Sequence, residues 1–304
     1  MKNIIEIKNL HKSYKNIKAV QDLSFCVKEG ELFAFLGVNG AGKSTTISII
    51  CGQLEKDSGT IIVNGENLDN HVDFIKKDLG VVFQNSLLDK PLTVYDNLEC
   101  KAALYGINKK HFKKRIEELS ELLNLKDILK RPINKLSGGQ KRRADIARAL
   151  IHDPKILILD EPTTGLDPMT RQNIWSVISK LRKEKNMTVL LTTHYMEEAS
   201  EADYVVIIDN GTISAEGSPL ELKNKYTGDY ITIYNVEEET VKCLNKAYER
   251  IRDGYRISIA NTKEATDLIT QYPKVFIDYE VTKGKMDDVF LAVTGKKLSE
   301  GEEK

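Results

Sequence analysis

Residues 37–45, GVNGAGKST, combine three glycines, a lysine and two hydroxyl side chains in a stretch that fits the pattern G-x-x-x-x-G-K-[ST]. The apolar run ELFAFL precedes it and TISII follows, so a strand and a helix are predicted on its two sides. Such a loop binds polyphosphate, because its backbone N–H groups and the positive helix end converge on the oxygens. Lys43 is expected to reach the terminal phosphates and Ser44 to bind Mg²⁺. The alternative is a glycine-rich turn that fits the pattern by chance.

A metal site also needs a carboxylate, and KILILDEP at 155–162 supplies one. Asp160 ends a predicted buried strand and Glu161 follows it directly. In enzymes with a phosphate loop, an Asp in this place helps to hold Mg²⁺. An adjacent Glu can orient or deprotonate the attacking water. The alternative, an ordinary surface Asp-Glu pair, is disfavoured by the GKST upstream.

A second anion-binding helix end is indicated by LSGGQKRRADIARALI at 136–151. Ser137 can cap the helix that follows, and Gly138 and Gly139 leave bare N–H groups at its positive end. The alternative is a glycine-rich helix start without a ligand. We interpret the basic residues of KRRAD, just behind the glycines, as a solvated helix face that could also meet acidic groups of a partner.

Over roughly residues 1–225 the sequence resembles the ATPase subunit of an ATP-binding cassette (ABC) transporter. The resemblance rests on motifs in the family's order and spacing: GVNGAGKST, Gln84 in VVFQN, LSGGQ, ILILDEP, GLD at 165–167 and His194 in TTHYMEEA. It implies the P-loop NTPase fold, with ATP and Mg²⁺ as cofactors. The stretch TTHYMEEASEADYVVIIDNGTISAEGSP and the later KMDDVFLAVTG resemble the exporter branch that includes daunorubicin-type and multidrug efflux systems. No cargo is assigned by this resemblance.

The resemblance also implies a role for each matched residue. Glu161 matches the catalytic base, His194 the residue that meets the γ-phosphate, and Gln84 the residue that touches Mg²⁺ or water and senses the transport partner. The residues expected to hold the metal are Ser44, Gln84 and Asp160. Those expected to bind nucleotide are Tyr14, Gly37, Asn39, Gly40, Ala41, Gly42, Lys43, Ser44, Thr45, Ser137, Gly138, Gly139, Gln140 and Asp167.

Tyr14 matches the aromatic that stacks on adenine, although a lone tyrosine before a strand would otherwise be read as core. Asp167 matches a residue of the loop by which two cassettes touch.

In this family two cassettes face each other head to tail, and each LSGGQ closes on ATP held by the other P-loop. The chain has one GKST and one LSGGQ, so we expect a second copy or a paralogous ATPase as a partner. An integral-membrane permease is expected as a separate polypeptide. The resemblance therefore implies a peripheral protein on the cytoplasmic face of the cell membrane.

Composition limits the alternatives. Lys+Arg and Asp+Glu balance at 45 each, so no overall basic field attracts nucleic acid, and none is expected as a partner. The longest apolar runs have strand length, whereas a bilayer crossing needs about 20 apolar residues. The N-terminal segment MKNIIEIKNLHKSY lacks the features of a signal peptide. The four cysteines have no CxxC or metal spacing.

The pattern of apolar runs predicts an α/β fold. Alternating strands and helices up to about residue 225 indicate a parallel sheet in a mixed sheet arrangement. Asn-Gly pairs in VNGE and DNGT predict hairpins and an antiparallel β subdomain. A helical insert, about 85–150, interrupts the ATPase domain, which is predicted over 1–227. A small α+β accessory domain is predicted over 228–304, with a helix over 239–251 and a frayed end at 299–304. We expect it to be either a dimerisation or regulatory module or a stabilising extension.

Two other functions compete with a transport ATPase. A soluble, non-transport ABC ATPase acting on a protein or nucleic-acid assembly usually carries two cassettes, a long coiled-coil insertion or a basic face, and this chain has none of these in its sequence. A P-loop GTPase or kinase would leave LSGGQ unexplained, and GTPases need an N-K-x-D motif that NKLS and NKYT do not supply.

Overall fold

The computed structural model describes residues 2–295, so the predicted frayed end at 299–304 lies outside the described residues. The strands are β1 (Asn3–Tyr14), β2 (Ile17–Lys28), β3 (Leu32–Leu36), β4 (Ser58–Val63), β5 (Glu66–Asn67), β6 (Leu79–Val82), β7 (Ile156–Asp160), β8 (Thr188–Thr193), β9 (Tyr204–Asp209), β10 (Thr212–Gly217), β11 (Asp229–Tyr234), β12 (Tyr248–Ile251), β13 (Gly254–Ile259) and β14 (Tyr279–Lys283). The helices are α1 (Lys43–Ile50), α2 (Leu68–Asp78), α3 (Val94–Leu104), α4 (Lys109–Leu122), α5 (Gly138–Leu150), α6 (Pro168–Lys185), α7 (Met196–Ser200), α8 (Pro219–Tyr226), α9 (Glu238–Lys242), α10 (Thr262–Gln271) and α11 (Met286–Thr294).

A six-stranded sheet in the order β10-β9-β3-β8-β7-β6 forms the centre of the first part of the chain. The pairs β6–β7, β7–β8, β8–β3 and β3–β9 are all parallel. Every residue of β3 and of β7 is buried, as expected for parallel strands covered on both faces. The predicted α/β class with a mixed sheet is confirmed, and the carboxyl ends of β3, β6, β7 and β8 meet at one edge.

An antiparallel sheet in the order β2-β1-β4-β5 adjoins this core through shared apolar residues. The turn between β4 and β5 has Asn64 at φ 50° and Gly65 at φ 88°, and that between β9 and β10 has Asn210 at φ 49° and Gly211 at φ 80°. Positive φ at both central residues is what a tight hairpin turn of this type requires. Both Asn-Gly hairpin predictions are confirmed.

The segment between β6 and β7 is helical, as predicted, and contains α3, α4 and α5. A capping box between Thr93 and Asp96 fixes the start of α3. Arg143, on α5, donates hydrogen bonds to the carbonyl oxygens of Leu123 at 3.1 Å and Asn124 at 2.7 Å. This arginine therefore satisfies carbonyls just beyond the end of α4 and ties the two helices together.

A second compact unit begins at Ala215, and the first ends at Ser214. The division falls within β10, earlier than the predicted boundary at 227/228, because α8 packs on α11 within the second unit. In this unit an antiparallel sheet in the order β12-β13-β11-β14 shares an apolar core with α10. The α+β class predicted for this region agrees with these elements.

The helix predicted over 239–251 is wrong in its second half. Only Glu238–Lys242 is α-helical, and Asn245 adopts a left-handed conformation with φ 51°. Residues Tyr248–Ile251 instead pair with β13 as a strand. Pairing with a strand that follows in the chain outweighs local helical periodicity here.

His152, just after α5, is a half-buried histidine that joins three elements of the first unit. Its Nε2 lies 3.0 Å from the carbonyl oxygen of Leu79, and its ring stacks on Tyr105 with centroids 3.9 Å apart. Burial lowers the pKa of His152 from 6.5 to about 4. The folded protein thus holds this imidazole neutral.

We expect the stability of the first unit to fall as pH drops from 6.5 toward 4. The unfolded chain protonates His152 in that range while the folded chain does not, so protons favour unfolding by about 1–2 kcal/mol at pH 5, after a discount for partial exposure. Urea unfolding followed by the fluorescence of Trp175, the single tryptophan, measures this in wild type and in His152→Gln. A stability difference between the two proteins that does not change between pH 5 and pH 7.5 would contradict the assignment.

Candidate active site

Glu161 lies where the ends of four parallel strands meet, and three predicted site residues surround its carboxylate. Gln84 Nε2 donates to Glu161 Oε2 at 3.0 Å. His194 Nδ1 lies 3.5 Å from Glu161 Oε1, and Lys43 Nζ lies 4.0 Å from the same oxygen. Residues predicted separately from four motifs are therefore grouped around one carboxylate.

The glycines of the loop after β3 have different reasons to lack a side chain. A Cβ on Gly42, at φ 108°, would lie 2.4 Å from the carbonyl oxygen of Ala19, and one on Gly37 would lie 2.6 Å from that of Ile208. Gly40 also has positive φ, at 83°, but a Cβ there would meet no atom within 4 Å. The loop is therefore tightly packed against the protein at Gly37 and Gly42 and open at Gly40. Asn39 and Ser44 are exposed, Thr45 is half-buried and Ala41 is buried.

Lys43 is the buried cation of this loop. Its Nζ donates to the carbonyl oxygens of Gly37 at 2.7 Å and Val38 at 3.1 Å, so the side chain folds back over the loop. Burial lowers the pKa of Lys43, and the nearby Glu161 and Asp160 oppose that shift. The ammonium therefore lies among carbonyls and carboxylates that stabilise its charge only in part.

Asp160 and Glu161 are buried, with exposed fractions of 7% and 9%, which excludes the interpretation as a surface pair. Thr192, which is opposite Asp160 in the β7–β8 register, donates its hydroxyl proton to Asp160 Oδ1. The backbone N–H of Glu161 points at Thr192 as well, 3.1 Å from its Oγ1 and 3.1 Å from its carbonyl oxygen. Thr192 escaped the sequence analysis, although its place in the TVLLTT strand before His194 was a usable signal.

Glu161 adopts φ 46°, which is uncommon for a residue with a side chain and marks local backbone strain. The interaction with the imidazole of His194, 3.5 Å away, is the largest influence that lowers the pKa of Glu161, burial opposes it, and the charge of Lys43 adds to it. Glu161 is thus ionised at neutral pH and can accept a proton. His194 Nδ1 makes no hydrogen bond of good geometry with any described residue, so this buried nitrogen is aimed at the site without a firm partner.

The LSGGQ segment begins α5, and the predicted cap is confirmed. Ser137 Oγ accepts from the N–H of Gln140 at 3.3 Å, and Gln140 Oε1 accepts from the N–H of Ser137 at 3.0 Å. A Cβ on Gly139 would lie 2.5 Å from Thr170 Cγ2 at the start of α6, whereas one on Gly138 would meet Leu166 only at 3.6 Å. Gly139 is therefore required by packing within the chain.

Asp167 caps α6, since its carboxylate accepts from the N–H of Thr170 at 2.9 Å and from its hydroxyl at 2.6 Å. These hydrogen bonds lower the pKa of Asp167. Among residues 2–295, no hydrogen bond or ion pair joins the side chains of Ser137, Gln140 or Asp167 to the Glu161 group. The predicted site residues thus form two groups within one chain.

The interpretation of KRRAD as a solvated face is wrong for Arg142, which is 7% exposed. Its guanidinium donates to carbonyl oxygens of Phe83, Asp160, Glu161 and Pro162 at 2.6 to 3.1 Å. The signal that could have revealed it is the helical spacing of Arg142 with the apolar positions 146, 149 and 150 of α5.

Two further buried acids escaped the sequence analysis. Glu198, on α7, accepts hydrogen bonds from the hydroxyls of Thr163 and Thr193, which follow Glu161 and precede His194 in the chain. Asp145, on α5, accepts from Ser86 Oγ at 3.0 Å. Each acid fixes a segment that carries a predicted site residue, and neither contacts the Glu161 carboxylate itself.

Tyr14 ends β1 and is 45% exposed, so it is not a core residue. Lys12 Nζ lies 5.8 Å from the centroid of its ring. An exposed aromatic face remains available for stacking.

Comparison with known proteins agrees with this geometry. The family model described as ABC transporter matches residues 20–164. The Nod factor export ATP-binding protein I of Ralstonia nicotianae is 34% identical over 305 residues, which cover 97% of this chain and 95% of that protein. The chain belongs to the ABC transporter family. It is an ATPase of that family, the kind of subunit that powers a membrane transporter.

Other relatives support the same membership. The linearmycin resistance ATP-binding protein LnrL of Bacillus subtilis is 35% identical over 311 residues, covering 97% of this chain and 99% of the relative. A solved ATP-binding subunit of an ABC transporter has a TM-score of 0.67 and 30% identity over 73% of this chain and 93% of its own. A dimeric ATP-binding cassette in a post-hydrolysis state, bound to ADP and Pi, has a TM-score of 0.64 and 29% identity over 70% of this chain and 98% of its own. Within the described residues, no helix of this ABC ATPase combines the length and apolarity needed to cross a bilayer.

The packing of Gly139 gives a testable prediction for the cassette. Gly139→Ala should destabilise the first unit by about 1–3 kcal/mol, because its Cβ overlaps Thr170 Cγ2. Thr170→Ser removes that methyl group but keeps the hydroxyl that Asp167 binds, so Gly139→Ala should cost less in the Thr170→Ser background. Urea unfolding of the four proteins measures the coupling. Equal costs in the two backgrounds would rule out the contact as the reason for this glycine.

Proposed function

We propose that this ABC ATPase hydrolyses ATP at the Glu161 site, with Glu161 as the general base. The observation that carries the proposal is the contact of one buried, ionised carboxylate with Lys43, Gln84 and His194. Only an ionised carboxylate can take a proton from water. Glu161 meets that requirement because its pKa is lowered. Phosphoryl transfer otherwise needs mainly positioning and charge neutralisation, which the surrounding cation and imidazole supply.

The loop at 37–45 fits a triphosphate by two features. The space above Gly40 is open, and positive φ at Gly40 and Gly42 turns the backbone as phosphate-binding loops require. Lys43 Nζ and His194 Nδ1 both face Glu161, and the histidine nitrogen lacks a firm partner. We assign the phosphates to Gly37, Asn39, Gly40, Ala41, Gly42, Lys43, Ser44 and Thr45, and the adenine to the exposed ring of Tyr14.

The donor set for a metal suits Mg²⁺. Residues 2–295 hold no group of three or more His, Cys, Asp or Glu that could bind a metal without a substrate. Mg²⁺ in nucleotide enzymes is typically bound by one or two carboxylates together with phosphate oxygens. Asp160, Ser44 and Gln84 would hold it, and when bound it neutralises the charge of the phosphates. Thr192 orients the Asp160 carboxylate through its hydroxyl hydrogen bond.

We further propose that two cassettes act together, with Ser137, Gly138, Gly139, Gln140 and Asp167 of one facing the nucleotide of the other. Support comes from the separation of these residues from the Glu161 group within one chain, and from the related cassette that was solved as a dimer. The partner cassette is a second copy or a paralogous ATPase.

Glu161→Gln should retain ATP binding and reduce turnover to about a hundredth or less, because the water loses its base. ATP should then accumulate in a dimer, which gel filtration with ATP and Mg²⁺ detects, while a phosphate-release assay measures turnover. Glu197→Gln, an exposed acid on α7, is the matched control and should behave as wild type. Turnover at the wild-type rate in Glu161→Gln would contradict the assigned base.

The membrane partner is proposed to be an integral-membrane permease encoded separately, which makes the chain a peripheral protein on the cytoplasmic face of the membrane. A cleft of about 300 Å³ near the Gln84 segment offers a docking surface. Its rim includes the cations Lys76, Lys101 and Arg148 and the exposed Leu87, and no Asp or Glu lines it. A permease segment with apolar and acidic side chains fits this cleft.

Replacement of Leu87 tests that surface. Leu87→Asp should lower the fraction of the tagged full chain that pellets with membranes of its own host, without a change in ATP binding. Leu220→Asp is the matched control, because Leu220 is 54% exposed and Leu87 is 52% exposed. If both variants pellet like wild type, the cleft is not the docking site.

The proposed transport direction is export. The relatives are named for Nod factor export, linearmycin resistance and, in Escherichia coli, a probable multidrug ABC transporter. A drug, antibiotic or lipid-like cargo is consistent with these names. We retain the ATPase domain over 1–227 and the accessory domain over 228–304 as functional divisions, the latter in dimerisation or regulation. A soluble, non-transport ABC ATPase is the alternative, and no described feature favours it.

A further inference from the structure

Arg142 connects the helix that carries LSGGQ to the turn that carries the proposed base. Its Nε donates to the carbonyl oxygen of Pro162 at 2.6 Å. One Nη2 group is shared by the carbonyl oxygens of Asp160 at 3.1 Å and Glu161 at 2.9 Å. Nη1 donates to the carbonyl oxygen of Phe83 at 2.6 Å. A single buried side chain therefore satisfies three successive carbonyls of the turn after β7 and one at the end of β6.

These carbonyls need such a partner. Glu161 and Pro162 lie beyond the end of β7 at Asp160, and buried carbonyls outside a strand need other donors. Glu161 is held there at φ 46°. The residue after Phe83 is Gln84, whose amide bonds the Glu161 carboxylate at 3.0 Å. Arg142 thus fixes the backbone on both sides of the Gln84–Glu161 hydrogen bond, without contacting either side chain.

The same helix is rigidly joined to its glycine tip. Ser137 and Gln140 cap α5 reciprocally, and Gly139 lies against Thr170. One turn further on, Asp145 accepts from Ser86 Oγ at 3.0 Å and so holds the segment that follows Gln84. Because Arg142 and Asp145 lie on the same helix as this tip, a rigid-body shift of α5 would move all three together.

We propose that Arg142 is a positioning residue that sets the orientation of Glu161 and Gln84 according to the position of the LSGGQ helix of the same chain. The inference rests on the proposed function, in which the tip of that helix meets the nucleotide of the other cassette. Engagement of the tip at one site is thereby linked to alignment of the base at the second site. Each cassette becomes fully active only when its helix is held by the nucleotide of its partner.

The shape of the guanidinium contributes to this positioning as well as its charge. Its planar fork directs donors to four carbonyls at once, whereas a lysine offers a point charge with three donors on a flexible stem. Arg142→Lys preserves the positive charge and should still misplace the turn. A misplacement of about 1 Å can lower a rate about a hundredfold.

The test is the steady-state kinetics of full-length Arg142→Lys, with ATP affinity measured by equilibrium titration in EDTA. We expect kcat to fall about tenfold to a hundredfold with the Kd for ATP nearly unchanged. Arg142→Gln, which removes the charge and keeps two donors, is the second variant if Arg142→Lys is unstable, and thermal melting checks that each variant is folded. Arg143→Gln is the matched control, since this neighbour bonds carbonyls of Leu123 and Asn124 instead.

A double-mutant cycle separates positioning from general destabilisation. In a Glu161→Asp background, where the base is already displaced, Arg142→Lys should lower kcat much less than in wild type. An equal loss in both backgrounds, a kcat like that of Arg143→Gln, or a loss confined to ATP affinity would overturn the inference. The proposed function fails separately, if Glu161→Gln itself retains turnover.

Discussion

Parallel pairing of β6, β7, β8 and β3 forces their carboxyl ends to one edge of the sheet, and the chemistry of the cassette depends on that edge. Because the strands run in register, Asp160 is opposite Thr192, and Glu161 and His194 follow on adjacent strands. A shift of one strand by one residue would exchange the side chains packed on the two buried faces of the sheet. The apolar residues of the core thus fix the positions of the polar residues at the edge.

Local sequence carries the parts of the structure that depend on few residues. The loop at 37–45, the carboxylates after β7, both Asn-Gly hairpins and the cap at Ser137 are each determined within about ten residues, and each was predictable. Arg142 was missed, because KRRAD reads as a polar helix start; its spacing places it with the apolar positions of α5, but its partners are carbonyls of two distant turns. The end of α9 was missed for the same reason, because β12 pairs with β13.

Glycine in the two loops serves packing as much as ligand approach. Gly37 and Gly42 are hemmed in by carbonyl oxygens of Ile208 and Ala19, and Gly139 by a methyl group of Thr170. Gly40 alone among these faces open space. Packing within the fold is therefore a sufficient reason for the absence of a side chain at Gly37, Gly42 and Gly139, independent of any ligand. At Gly139 the packing of the chain itself leaves no room for a side chain, whereas at Gly40 the surrounding space is open.

The buried charged groups of the site differ in how fully the protein compensates their charge. Asp160 and Glu198 are each stabilised by hydroxyl donors, and Arg142 by four carbonyls, so these ions are satisfied by the protein itself. Lys43 is different, because burial depresses its pKa and its partners are two carbonyls and a carboxylate 4.0 Å away. A cation that is poorly compensated gains most from an arriving phosphate. A phosphate at this loop would therefore meet a buried cation with few partners, next to a carboxylate whose pKa is lowered.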